Sequence, residues 1–232
     1  MVPGGAPTVG AMSGSTFLRT QAPPPGWPET VVALVIAGVV AFRVPPLLAQ
    51  HQIALGPVLH DLVLVALPGV AGLAGFAAAA RVRVRPWAAF GLVRTTRDQL
   101  VVAATAGLVC SFVSIGVAAA LGPGPAAGAG GLPAAAALLL VVLVVPVGQE
   151  LLFRGIVTTV LLRHGAVAGV LGSALVFAAA HGPTPAAVTA LVLGLVTAEL
   201  RRRSGSLWPA VTAHAVHNLV MTVAVLASTG AA

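Results

Sequence analysis

A chain of 232 residues, 58% of them hydrophobic and 7% charged, with a mean hydropathy of +1.04, does not have water as its main solvent. An ordinary soluble domain is about half apolar and about a quarter charged. The formal net charge of +7 comes from arginine alone, clustered between apolar runs, and Tyr is absent. That pattern sets membrane topology and argues against nucleic-acid binding, which calls for a solvated basic stripe with stacking aromatics. The only cysteine, Cys110, lies inside an apolar run, so no disulfide framework or Cys-based zinc site is built within one chain.

Residues 1–28 are rich in Pro, Gly, Ser and Thr, with Pro23, Pro24 and Pro25 in a row, and read as a disordered tail that buries too little apolar surface to order itself. The first long apolar run begins near Thr30, so no signal peptide is expected. Candidate spans follow at 30–49, 58–80, 99–121, 133–163, 166–181, 185–200 and 207–228, against about 20 residues needed to cross a hydrocarbon core. The expected fold is all-α: a polytopic transmembrane helix bundle of about seven spans, with amino-terminal helices over 29–132 and a core over 133–228.

Between the second and third runs lie Arg81, Arg83, Arg85, Arg94 and Arg97, which the positive-inside rule assigns to the cytoplasm. Alternation puts Arg163 and the run Arg201, Arg202, Arg203 on the same side, with the uncharged Gly122 to Pro133 loop opposite. The amino terminus is then cytoplasmic, in a cell membrane of bacterial type. The 133–163 run is too long: at about 1.5 Å per residue it makes about 46 Å against a core of about 30 Å. It must tilt, kink at Pro146 or split in two. Gly165 and Gly169 are spaced for close helix approach.

Polar residues at membrane depth cost about 2.5 to 3.5 kcal/mol each on insertion scales and need a partner or a function. They gather in the last four runs: Gln149, Glu150 and Arg154, then His181, then His214, His217 and Asn218. Counted from the arginine-rich ends at about 1.5 Å per residue, Glu150 and His181 lie about 22 to 25 Å deep, and Arg154, His214 and Asn218 about 15 to 21 Å. Glu150 with Arg154, and His214 with Asn218, are spaced i, i+4 and share a helix face. Each group has a plain structural reading: an intrahelical ion pair, an interfacial histidine, interhelical hydrogen bonding. At matched depth, one concave polar site formed by the last four runs is the economical reading.

The ordered motifs Gln149-Glu150-Leu-Leu-Phe-Arg154-Gly155, Phe177-Ala-Ala-Ala-His181 and His214-Ala-Val-His-Asn218, the last preceded by Gly205-Ser-Leu-Trp-Pro209, resemble the CPBP family. These are the CAAX proteases and bacteriocin-processing proteins, also called Abi, with type II CAAX prenyl endopeptidases and relatives of lysostaphin resistance protein A among them. The resemblance covers roughly 133–228. It implies an intramembrane endopeptidase acting on a membrane-associated peptide or protein. By the family pattern a Glu and His181 activate water, His214 and Asn218 stabilise the oxyanion, and Arg154 holds a carboxylate in place.

The chain departs from the family at position 149, where Gln stands for the water-activating Glu; an amide positions water but takes no proton. Three outcomes stay open. Glu150 serves as base, His181 does so with Gln149 positioning, or hydrolysis is lost and a membrane binding or scaffold role remains. Family names often say metalloprotease, and Glu150, His181 and His214 would form the zinc set if there is one. No His-Glu-x-x-His helix is present, and no cofactor is favoured.

Two rival readings use the same residues. A serine protease built on Ser173 and His181 fails, since eight helical positions span about 12 Å, and Ser111 and Ser114 have no assignable base. A proton-coupled transporter would use the same buried charges, but inverted repeats and paired broken helices are missing. The expected partners are the bilayer and a substrate held in it, with no nucleic acid; no sequence feature fixes an oligomeric state.

Overall fold

A computed structural model describes residues 23–50, 56–122 and 134–229. Seven helical segments occupy the positions of the seven apolar runs. They are α1 (Trp27–Gln50), α2 (Pro57–Val82), α3 (Arg97–Leu121), α4 (134–164), α5 (Ala168–Ala179), α6 (Pro185–Ser204) and α7 (Trp208–Thr229). A short 3-10 turn, Trp87–Phe90, lies in the α2–α3 connection. No strand occurs among the described residues.

Of the proposed tail, residues 1–22 lie outside the described residues, as does 123–133 of the uncharged loop. Residues 23–26 lead directly into α1, which starts at Trp27, and are tied down. Glu29 is fully buried, accepts from the Gly26 amide at 3.0 Å and from Arg85 Nη2 at 2.8 Å. This clasp brings the start of α1 to the arginine-bearing end of α2.

The long run 134–164 is one helix rather than two. It carries π turns at Leu140–Val144 and Phe153–Thr158, and a closing 3-10 turn at Leu162–His164. The first π turn runs straight into the turn containing Pro146, whose ring nitrogen has no hydrogen to donate and whose bulk opposes the carbonyl of the preceding turn. Widening the helix there accommodates both. Gly165, at φ +109°, ends the helix, and α5 turns back against it so closely at Gly169 that a Cβ there would reach Leu162 Cα at 3.0 Å.

Five helices, α1 to α4 and α7, are long and apolar enough to cross a membrane. The other two of the about seven expected spans fall short of that measure. α5 is a shorter apolar helix, and at about 1.5 Å per residue its 12 positions reach only about 18 Å; α6 is long enough but ends in Glu199 and three arginines. These two pack on each other and on the polar stretch of α4, while Leu171 and Leu175 of α5 stay exposed.

Helix pairing follows the small residues. α2 meets α4 at backbone contact, with a Cβ on Gly69 falling 2.6 Å from Val144 O and one on Gly148 running into the Gly69 carbonyl. Gly69 pairs with Val144 and Gly72 with Gly148, so the two helices run parallel, as alternate spans should. α3 and α7 are likewise parallel, since Gly107 abuts Ala213 and Ser111 Oγ reaches the His217 carbonyl at 3.5 Å. The buried core gathers Phe76, Phe90, Phe153, Ile156, Phe177 and Leu207 around the middle of α4. Outward on α1 and α3 stand Val35, Val39, Phe42, Val102, Val109 and Phe112, all exposed. An apolar surface that continuous is stable only against lipid.

Candidate active site

Gly148 sets the directions of the next two side chains. With Gly148 turned to α2, successive helical positions rotate by about 100°. Gln149 thus comes to line the space among α1, α2, α4 and α5, and Glu150 meets α7. Adjacent residues that a sequence motif treats as a pair therefore meet different surroundings.

Glu150 is fully buried. Its Oε1 accepts a hydrogen bond from His214 Nδ1 at 2.7 Å, and its Oε2 lies 3.1 Å from Arg154 Nε. The second contact is an ion pair whose angle falls short of a hydrogen bond, so Nε and Nη1 of Arg154 keep unspent donors. Arg154, also fully buried, donates from Nη2 to the Gly194 carbonyl at 3.1 Å and lays its guanidinium 4.5 Å from the Phe177 ring centre. Gly194 brings α6 within reach because it lacks a Cβ, which would lie 3.1 Å from Ala174 Cα. A buried carboxylate and a buried guanidinium each carry a desolvation penalty of several kcal/mol, which their mutual attraction and the hydrogen bonds around them offset.

His214 Nδ1 lies 2.7 Å from a Glu150 carboxylate oxygen, and an imidazole that donates there from Nδ1 presents Nε2 to the other side of the ring. The same logic holds at His181, whose Nδ1 sits 2.9 Å from the Phe177 carbonyl. Phe177 stands between the two imidazoles, edge-on to His181 at 4.9 Å and to His214 at 5.9 Å. Its ring stacks edge-to-face on Phe153 at 5.0 Å. The helices α4, α5 and α7 thus bring Glu150, Arg154 and His214 into direct contact and His181 to the far side of one phenyl ring.

Gln149 and Asn218 are placed differently. Gln149 supplies the single polar side chain in the wall of a cavity of about 440 Å³, otherwise lined by apolar residues such as Leu34, Phe42, Leu67, Phe153 and Val176. Asn218 donates from Nδ2 to the Val141 carbonyl at 2.8 Å, in the first π turn, one helical turn beyond His214. One amide hydrogen is committed there and the other is free. His217 is buried with Nδ1 unpartnered.

Among the described residues no group of three His, Cys, Asp or Glu side chains stands close enough to hold a metal ion. Glu150 has both oxygens engaged by Arg154 and His214, so the set Glu150, His181 and His214 does not fit zinc as it stands. Sequence reasoning passed over Gly194, Phe153 and Thr159. A glycine facing a small alanine across two helices signals close approach, but nothing in the sequence says that its carbonyl takes a guanidinium proton.

The architecture defines an integral membrane helix bundle whose polar cluster is buried among its carboxyl-terminal helices. Residues 131–220 match the model of the family described as type II CAAX prenyl endopeptidase Rce1-like. No curated protein and no solved structure matches the chain. The matched stretch contains every motif residue from Gln149 to Asn218, and the family is one of intramembrane proteases of CAAX type.

Proposed function

We propose that the protein is an intramembrane endopeptidase that hydrolyses a peptide bond in a membrane-associated substrate, using imidazole as the base. The observation that carries the reading is the 2.7 Å bond between Glu150 and His214 inside a fully buried ion pair. Of the two bases open from the sequence, Glu150 and His181, Glu150 is the poorer, because Arg154 and His214 hold it as an orienting group. It fixes the His214 tautomer, as a buried carboxylate does for the histidine of a catalytic triad. His214 Nε2, bearing a lone pair, then accepts a proton from the attacking water, with His181 on the other side of the Phe177 ring.

In the reaction, that water attacks the substrate carbonyl as its proton passes to an imidazole, and the imidazolium returns the proton to the leaving amine. The free amide hydrogen of Asn218 and the unspent donors of Arg154 are the available stabilisers of the developing oxyanion, each worth about 10² to 10³ in rate by analogy with known donors. Gln149 hydrogen-bonds the substrate backbone at the edge of the apolar cavity. No step runs through a metal.

A second reading, supported by Gln149 in place of the family's Glu, is a binding protein without hydrolysis. A quenched fluorescent prenylated CAAX peptide, added to proteoliposomes of wild type and Gln149→Glu, separates the two. Slow cleavage by wild type supports the protease reading. Cleavage by Gln149→Glu alone establishes a site that has lost its chemistry.

A further inference from the structure

Arg201 is a buried cation that the cluster around Glu150 does not touch. It occupies the last turn of α6, is 8% exposed, and pairs with no carboxylate among the described residues. Its neighbours Arg202 and Arg203 take Glu199 instead. A guanidinium withdrawn from water without a counter-ion is costly and calls for a function.

Its polar contact is a single hydrogen bond, from Nη2 to Thr159 Oγ1 at 3.2 Å. Thr159 Oγ1 in turn donates to the Arg154 carbonyl at 3.0 Å. A guanidinium only donates, so it occupies a lone pair of the hydroxyl and leaves the hydroxyl proton to Arg154 O. The chain of bonds ends on the π turn Phe153–Thr158, which carries the guanidinium facing Glu150. The seat of Arg201 is closed by Gly91, at φ +84°, where a Cβ would stand 2.6 Å from Arg201 Cζ. The Gly91 carbonyl accepts from the Leu207 amide at 2.8 Å, so the seat is fixed between the α2–α3 connection and the start of α7.

We propose that Arg201 is a positioning residue that acts through the Thr159 hydroxyl to fix the main chain at Arg154, and with it the Arg154–Glu150–His214 alignment. Its effect on turnover rests on the protease reading; its effect on the alignment does not. A residue that merely filled the space beside Gly91 would be indifferent to the Thr159 hydroxyl, and Thr159→Val keeps the shape while removing the link.

The test uses the full chain in proteoliposomes, as wild type, Thr159→Val, Thr159→Ser, Arg201→Gln and the double variant Arg201→Gln/Thr159→Val. Two quantities are read: the ¹⁵N resonance of His214 Nδ1 in histidine-labelled protein, and kcat and KM on the prenylated CAAX peptide. Thr159→Val and Arg201→Gln each shift the His214 resonance and lower kcat by about 10- to 100-fold with KM little changed, as a small misplacement does. Thr159→Ser retains wild-type values, and the double variant is no worse than the worse single one, because both cut one link. A His214 resonance unmoved in folded Thr159→Val, or losses that multiply in the double variant, overturns the proposal. A wild type that cleaves no peptide while its His214 resonance moves as described removes the protease reading and upholds the positioning role.

Discussion

Arg154 is the residue at which the electrostatic costs are greatest. Fully buried, it has one hydrogen bond to Gly194, one ion pair to Glu150 and one aromatic face to Phe177. Removing it by Arg154→Ala leaves the Glu150 carboxylate buried with His214 alone, which is expected to cost about 3 to 5 kcal/mol. Thermal unfolding in detergent reads that loss, and the double variant Glu150→Leu/Arg154→Met should recover much of it, since no charge is then stranded. Equal destabilisation in both would mean that packing, not charge, holds the site. The Glu150–Arg154 partnership was legible from the i, i+4 spacing, and the meeting with His214 from depths counted along separate helices. The tie of Asn218 to Val141 was not, because it depends on a carbonyl in a π turn, and no side-chain pattern reports where a backbone widens.

At the scale of elements, glycine decides how closely α2 and α4 approach and so where Gln149 and Glu150 point. A Cβ at Gly148 would collide with the Gly69 carbonyl, a backbone atom that cannot swing aside. Gly148→Ala is therefore expected to lower the unfolding temperature and to reduce peptide cleavage together. Gly116→Ala is the matched control: nothing lies within 4 Å of its Cβ, so it should be neutral or gain up to about 1 kcal/mol from helix propensity. Equal effects at the two positions would show that the α2–α4 contact does not matter. The excess length of the 134–164 run and the trouble at Pro146 were visible in the sequence. Its resolution by π turns was not, since their register is set by neighbouring helices. The shortness of α5 was already visible, since the apolar run 166–181 falls short of the about 20 residues a crossing needs.

For the whole molecule, the sequence sufficed to recognise a membrane bundle and the order of its helices, because hydropathy and arginine placement are bulk properties of the chain. The arginine-bearing connection after α2 and the end of α3 are expected on opposite sides of the membrane, with the former cytoplasmic. Val84, 99% exposed, and Leu121, 60% exposed, are suitable reporters. In a Cys110→Ser background, Val84→Cys should react with an impermeant maleimide only from the cytoplasmic side and Leu121→Cys only from the other; labelling of both from one side would refute that topology.

The closed group Glu150, Arg154 and His214 is central to every argument above. Its most direct test is the kcat of purified wild type and Glu150→Gln on the prenylated CAAX peptide in proteoliposomes. The account predicts measurable turnover in wild type and a loss of about 10²-fold or more when the amide no longer holds His214 as its charged orienter. Equal turnover by the two proteins would contradict it.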